Sequence, residues 1–106
     1  MFVAMNRFKV AEGQGETFEQ MWRERKSYLD EVPGFLHFLL LRGDEPGEYI
    51  SHSTWESREA FTAWTQSEAF AAGHRQGSMQ GVLQGPPAVS LYDAVITEGA
   101  GVPAST

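Results

Sequence analysis

The chain has 106 residues, 42% hydrophobic and 21% charged, with a formal net charge of −6 and no cysteine. That length suits one domain with its own core, and the lack of thiols excludes a disulfide framework, thiolate metal sites and a cysteine nucleophile. Scattered Lys and Arg on an acidic chain argue against nucleic acid as a partner, no run reaches the ~18 apolar residues of a membrane span, and no signal-peptide pattern opens the chain, so the expectation is a cytoplasmic protein.

In chain order, FVAMNRFKV (residues 2–10) alternates, with Ala4, Asn6, Phe8 and Val10 on one side and Val3, Met5, Arg7 and Lys9 on the other, which predicts a strand. AEGQG (11–15) reads as a turn. Phe18, Met21, Trp22, Arg25, Tyr28, Leu29 and Val32 then recur at steps of three and four, which predicts an amphipathic helix from Glu16 to the stop at Pro33-Gly34. FLHFLLL (35–41) and YISHSTW (49–55) are strands joined by the GDEPGE hairpin. Ser57 is placed to cap a short helix over 58–64, Thr65-Gln66-Ser67 breaks it, and Ser67 caps a second one beginning at Glu68. Residues 77–87 read as a loop and AVSLYDAVIT (88–97) as the last strand, which ends a domain over 1–97 and leaves 98–106 as a flexible tail.

This β-α-β-β-α-β order predicts an α+β, ferredoxin-like fold: a four-stranded antiparallel sheet with helices on one face. The helix-free face should then be polar, yet FLHFLLL is apolar on both alternating sides apart from His37. Something must cover that face, and a second copy packed sheet to sheet is the simplest cover, giving a homodimer.

Three residues stand out. Asn6 is an amide among apolar neighbours on the first strand, either a satisfied core group or a donor aimed into a pocket. Trp64 is either helix-to-sheet packing or the wall of a cavity for a flat ligand. His74 is either a helix-end residue or a metal ligand. His37, His52 and His74 show no zinc-ligand spacing, but a metal already held by four donors, as in haem, needs only one axial His. No GxSxG, P-loop or GxGxxG stretch is present, and His52 between Ser51 and Ser53 is adjacency in sequence rather than triad geometry. Asp93, an acid within the last strand, reads as an edge or dimer-contact group.

The stretches FVAMNRFKV, PGFLHFLLL, STWESREAF and AWTQSEAFAAGH resemble the IsdG-type haem-degrading monooxygenases of the antibiotic biosynthesis monooxygenase superfamily, from Phe2 to about Ile96. The resemblance implies a ferredoxin-like homodimer with a joint β-barrel, and it carries over the family's catalytic Asn, Trp and His to Asn6, Trp64 and His74. His74 is then the axial haem ligand, Asn6 the group that orients oxygen, and Trp64 the residue that presses the macrocycle out of plane. Trp22 and Arg25 are further candidates for contact with haem, Met21 for lining the pocket, and Arg25 and Arg75 for its propionates. Haem is both substrate and cofactor, O2 the oxidant, and an external reductase the electron source; iron and a linear tetrapyrrole leave. Two other readings share the fold: a cofactor-independent monooxygenase acting on a polycyclic phenol or quinol, and a non-enzymatic dimer that binds haem or another flat ligand.

Overall fold

The computed structural model describes residues 1–25, 28–74 and 81–99, without the side chains of 72–74. Its elements are β1 (Phe2–Lys9), α1 (Gly15–Glu24), a 3-10 turn (Leu29–Glu31), β2 (Phe35–Arg42), β3 (Glu48–Trp55), α2 (Arg58–Thr65), α3 (Glu68–His74) and β4 (Ala88–Asp93). The strands form one sheet in the order β2-β3-β1-β4, every neighbouring pair antiparallel. This is the expected ferredoxin-like arrangement. No helix among the described residues is long and apolar enough to cross a membrane.

Local chemistry places each element. The Ser57 hydroxyl accepts a hydrogen bond from the Ala60 amide at 3.1 Å and starts α2, while the Ser67 hydroxyl accepts from the Phe70 amide at 3.2 Å and starts α3. Gly34 has φ +82°, and a Cβ there would come within 2.5 Å of the Ala60 Cβ. A side chain at position 34 would therefore push α2 away from the start of β2.

Two elements are shorter than their patterns. The helix expected to run from Glu16 to Val32 ends at Glu24; Arg25 is extended and Tyr28 takes the left-handed conformation with φ 61°. Burial overrides the periodicity here: Phe18 packs in one apolar cluster, while Leu29 and Val32 pack in another at the opposite end of the sheet face, which one straight helix does not serve. The last strand stops at Asp93 rather than Thr97, leaving Val95 and Ile96 exposed beyond it. The reading of 77–87 as a loop holds where it is described, from Gly81, but Val82 is buried in the core and Leu83 bridges Val10. Residues 75–80 and 100–106, with Arg75 and most of the tail, lie outside the described residues.

Phe18 is fully buried and meets Phe8, Trp22 and Tyr49 at ring separations of 5.3, 6.0 and 4.8 Å. Phe18→Ala should lower the free energy of unfolding by about 3–5 kcal/mol in urea denaturation, because the rigid sheet beneath does not close the cavity.

Candidate functional site

On the helix-covered side of the sheet, Phe2, Ala4, Asn6 and Phe8 of β1 lie opposite Trp55, Ser53, Ser51 and Tyr49 of β3. The large residues sit at the two ends of this ladder and the small ones in the middle. The core divides accordingly. One cluster gathers Phe8, Val10, Phe18, Tyr49 and Val82, with Met21, Trp22 and Leu40 packed against it. The other gathers Phe2, Ala4, Leu29 and Trp55, with Phe61 and Trp64 packed against it. Asn6 and Ser51 form a polar pair between them on β1 and β3, a seam that ends at Leu40 of β2 and Val89 of β4.

Asn6 is half-buried, and among the described residues nothing hydrogen-bonds its side-chain amide. Half-exposed, the amide is open to a partner from outside the described residues. Ser51 is buried beside it, and the Ser53 hydroxyl is tied back, accepting from the Trp55 indole at 2.9 Å.

Trp64 stands on α2 over the Phe2–Trp55 end of the ladder. Its ring lies 5.1 Å from Trp55, 6.0 Å from Phe61 and 4.8 Å from Phe70, the last edge to face. It therefore packs as a core aromatic and forms a rigid wall at once, because three rings fix it while it stays only half-buried. His74 closes α3, one turn beyond Phe70; its side chain is outside the described residues.

Trp22 borders the seam from α1. It stacks on Phe38 of β2 at 5.5 Å with 17° between the planes, and the Arg25 guanidinium lies over both rings, 4.3 and 5.0 Å from their centres. Burial pulls the Arg25 pKa down from the usual arginine range, yet the group stays cationic at any ordinary pH. The Trp22 indole N–H is buried and finds no acceptor among the described residues. The end of α1 at Glu24 is what lets Arg25 fold back onto these rings.

A separate groove of about 460 Å³ runs between α1 and the edge strand β2. Phe38 and Leu40 line it, and Glu19 crosses it, accepting from the Tyr49 phenol at 2.5 Å and from Arg42 at 3.1 Å. The Tyr49 bond and the cations hold the Glu19 carboxyl below the usual range, while burial, then Glu19, push the phenol up. Neither Asn6 nor Trp64 lines this groove.

Other expectations resolve simply. His52 faces the opposite side of the sheet from Ser51 and Ser53, so no triad forms. Asp93 lies on the edge strand β4 and pairs with Arg58 at 3.4 Å, both exposed. Sequence reasoning missed Phe38, Phe70 and the two serines. The signal for the serines was present: they break the large-residue side of YISHSTW in its middle.

The antibiotic biosynthesis monooxygenase family model matches residues 1–76, a span that includes Asn6, Trp64 and His74. The chain belongs to the antibiotic biosynthesis monooxygenase family. Within that family it is 41% identical over 78 residues to a Mycobacterium tuberculosis protein named "Heme oxygenase (mycobilin-producing)", covering 69% of this chain and 72% of the relative. It is 29% identical over 100 residues, 91% of this chain and 92% of the relative, to the "Heme-degrading monooxygenase" of Bacillus anthracis. The solved structure of the M. tuberculosis heme degrader MhuD "with two hemes bound in its active site" superposes with a TM-score of 0.77 at 31% identity, over 93% of this chain and all of that one. SnoaB from Streptomyces nogalater, a cofactor-independent oxygenase, shares the fold at a TM-score of 0.68 and 20% identity, over 95% of this chain and 97% of that one.

An asparagine kept for a ligand rather than for packing should be replaceable without loss of stability. Asn6→Leu, close to isosteric, should leave the thermal midpoint unchanged or raise stability by about 0.5–2 kcal/mol. A loss above roughly 2 kcal/mol would mean that the amide is satisfied inside the fold after all.

Proposed function

We propose that this chain is a haem-degrading monooxygenase whose site is the polar seam between the two core clusters, with Asn6, Trp64 and His74 as its catalytic residues. The observation that carries the reading is the half-buried Asn6 amide, which no described residue hydrogen-bonds, on the row between the cluster that Trp64 packs against and the cluster that Trp22 packs against. The relatives' names point the same way.

The residues suit a flat, largely apolar ring that carries carboxylates. The middle of the β1–β3 ladder carries only the small side chains of Ala4, Asn6, Ser51 and Ser53, and Trp64 and Trp22 offer flat apolar rings at the clusters on its two ends. Arg25 supplies a fixed cation for a propionate, and the unsatisfied Trp22 N–H offers a second donor at the same border. When bound, haem supplies both the iron at which dioxygen is activated and the ring that is opened.

The chain's own residues hold and orient. His74 would hold the haem iron through its imidazole. Asn6 presents both a donor and an acceptor at the floor of the seam, enough to orient a small polar species there. Trp64, held by three rings, would give a bound ring a rigid apolar surface to lie against. The aromatic walls exclude water from the oxidised edge. An external reductase supplies electrons, and iron and a linear tetrapyrrole leave. The active species is a homodimer joined through the helix-free sheet faces, working in the cytoplasm.

Haemin titration followed by the Soret band tests this. Wild type should shift the band saturably, and the band should decay once a reductant and oxygen are present. His74→Ala should lose binding. Asn6→Ala should bind but degrade haem at least about tenfold more slowly, as for loss of one orienting hydrogen bond. Arg25→Ala should weaken binding roughly tenfold without abolishing decay. No saturable shift would refute the proposal and favour cofactor-independent chemistry; binding without decay would leave a haem carrier.

A further inference from the structure

We infer that His52, stacked on His37, makes the association of two copies through the helix-free sheet face pH-sensitive, tight when the His52 imidazole is neutral and weak when it is protonated. The inference rests on the dimer proposed above.

The strand register puts both rings on that face. His52 of β3 lies between Met5 of β1 and Leu39 of β2, and His37 lies opposite Thr54, one diagonal step away. A bulge between Phe35 and His37 sets this register. The rings stack with centroids 6.1 Å apart and 21° between planes, and the Thr54 hydroxyl stands 3.5 Å from His37 Nε2. His52 Nδ1 is buried and has no partner among the described residues, before any second copy arrives.

The surroundings are apolar and open. Leu39, Leu41 and Tyr92 are exposed, and Val3, Met5 and Ile50 are half-buried, on the same face. Four strands of six to eight residues span a plane of about 19 by 26 Å. Counted on two copies, that plane is about 1,000 Å² in projection, the area at which an interface becomes specific. A second identical sheet is the partner whose shape and apolar character match it throughout.

Few charges face the pair. Arg7 of β1, opposite Ile50, is the diagonal neighbour of His52; Lys9 and Glu48 oppose each other at the far end, and the Tyr92 phenol lies across Val3 on β4. None of these is a carboxylate within reach of the imidazoles, and Arg7 adds repulsion to a protonated His52.

Burial, then the neighbouring His37, already hold the His52 pKa below its ordinary value. A covering copy removes the remaining water and depresses it further. Separated copies then take up protons more readily than the dimer does, so association is strongest at neutral pH and above and is lost as pH falls through the His52 pKa of the separated copies, which lies below the ordinary value. A further depression of about one pKa unit on each copy corresponds to a roughly 3- to 30-fold rise in dissociation constant between pH 7.5 and 5.5.

Sedimentation equilibrium of the full chain at pH 7.5 and 5.5, with circular dichroism to confirm that the sheet persists, tests the inference. Wild type should dissociate about 3- to 30-fold more readily at pH 5.5, and His52→Gln and His37→Gln should each flatten that dependence. A dimer equally tight at both pH values, an equal pH response in the variants, or loss of the sheet at pH 5.5 would overturn the switch while leaving the dimer standing. A monomer at both pH values would overturn the dimer itself, and the switch with it.

Discussion

The constraint on which the rest depends is the split of the core by the Asn6–Ser51 row. An apolar pair at that row would join the two clusters along β1 and β3 as well. The polar row keeps them apart there, and they meet where Trp22 of one stacks on Phe38 of the other. Each cluster is built on aromatic rings that supply large buried area and orient one another: Phe8, Phe18, Trp22 and Tyr49 at one end, Phe2, Trp55, Phe61 and Trp64 at the other. The broken course of the chain after Glu24 follows from the same split, since Phe18 and Leu29 belong to different clusters.

The sheet is used on both sides. One face holds the seam under the helices, and the other carries the open apolar block around His37 and His52. Because β1 and β3 run through both, Asn6 and Met5 are adjacent in sequence yet serve opposite surfaces. A second copy on the open face would stiffen the same strands that position Asn6 and Ser51.

Much of this was legible in the sequence. The alternation in FVAMNRFKV assigned Ala4, Asn6 and Phe8 to the covered side, and the serine caps located α2 and α3 to within a residue. The apolar two-sided FLHFLLL pointed to an uncovered face before any coordinate did. Other features were hidden because they depend on pairing between strands. Nothing local reveals that His37 and His52 meet, since their contact follows from a bulge near Phe35. The break after Glu24 was masked by a stripe whose period persists through Val32 although its residues serve two clusters. The isolation of the Asn6 amide is likewise a property of the assembled sheet: alone, it reads as a core asparagine with a partner.

The most direct test of the central claim is a crystal structure of the haem complex. The account predicts the porphyrin over the Asn6–Ser51 row, between the Trp64 and Trp22 groups, with the Asn6 amide facing the iron's open side and Arg25 at a propionate. A porphyrin seated instead in the groove between α1 and β2, against Leu40 and Arg42 and away from Asn6, would contradict it.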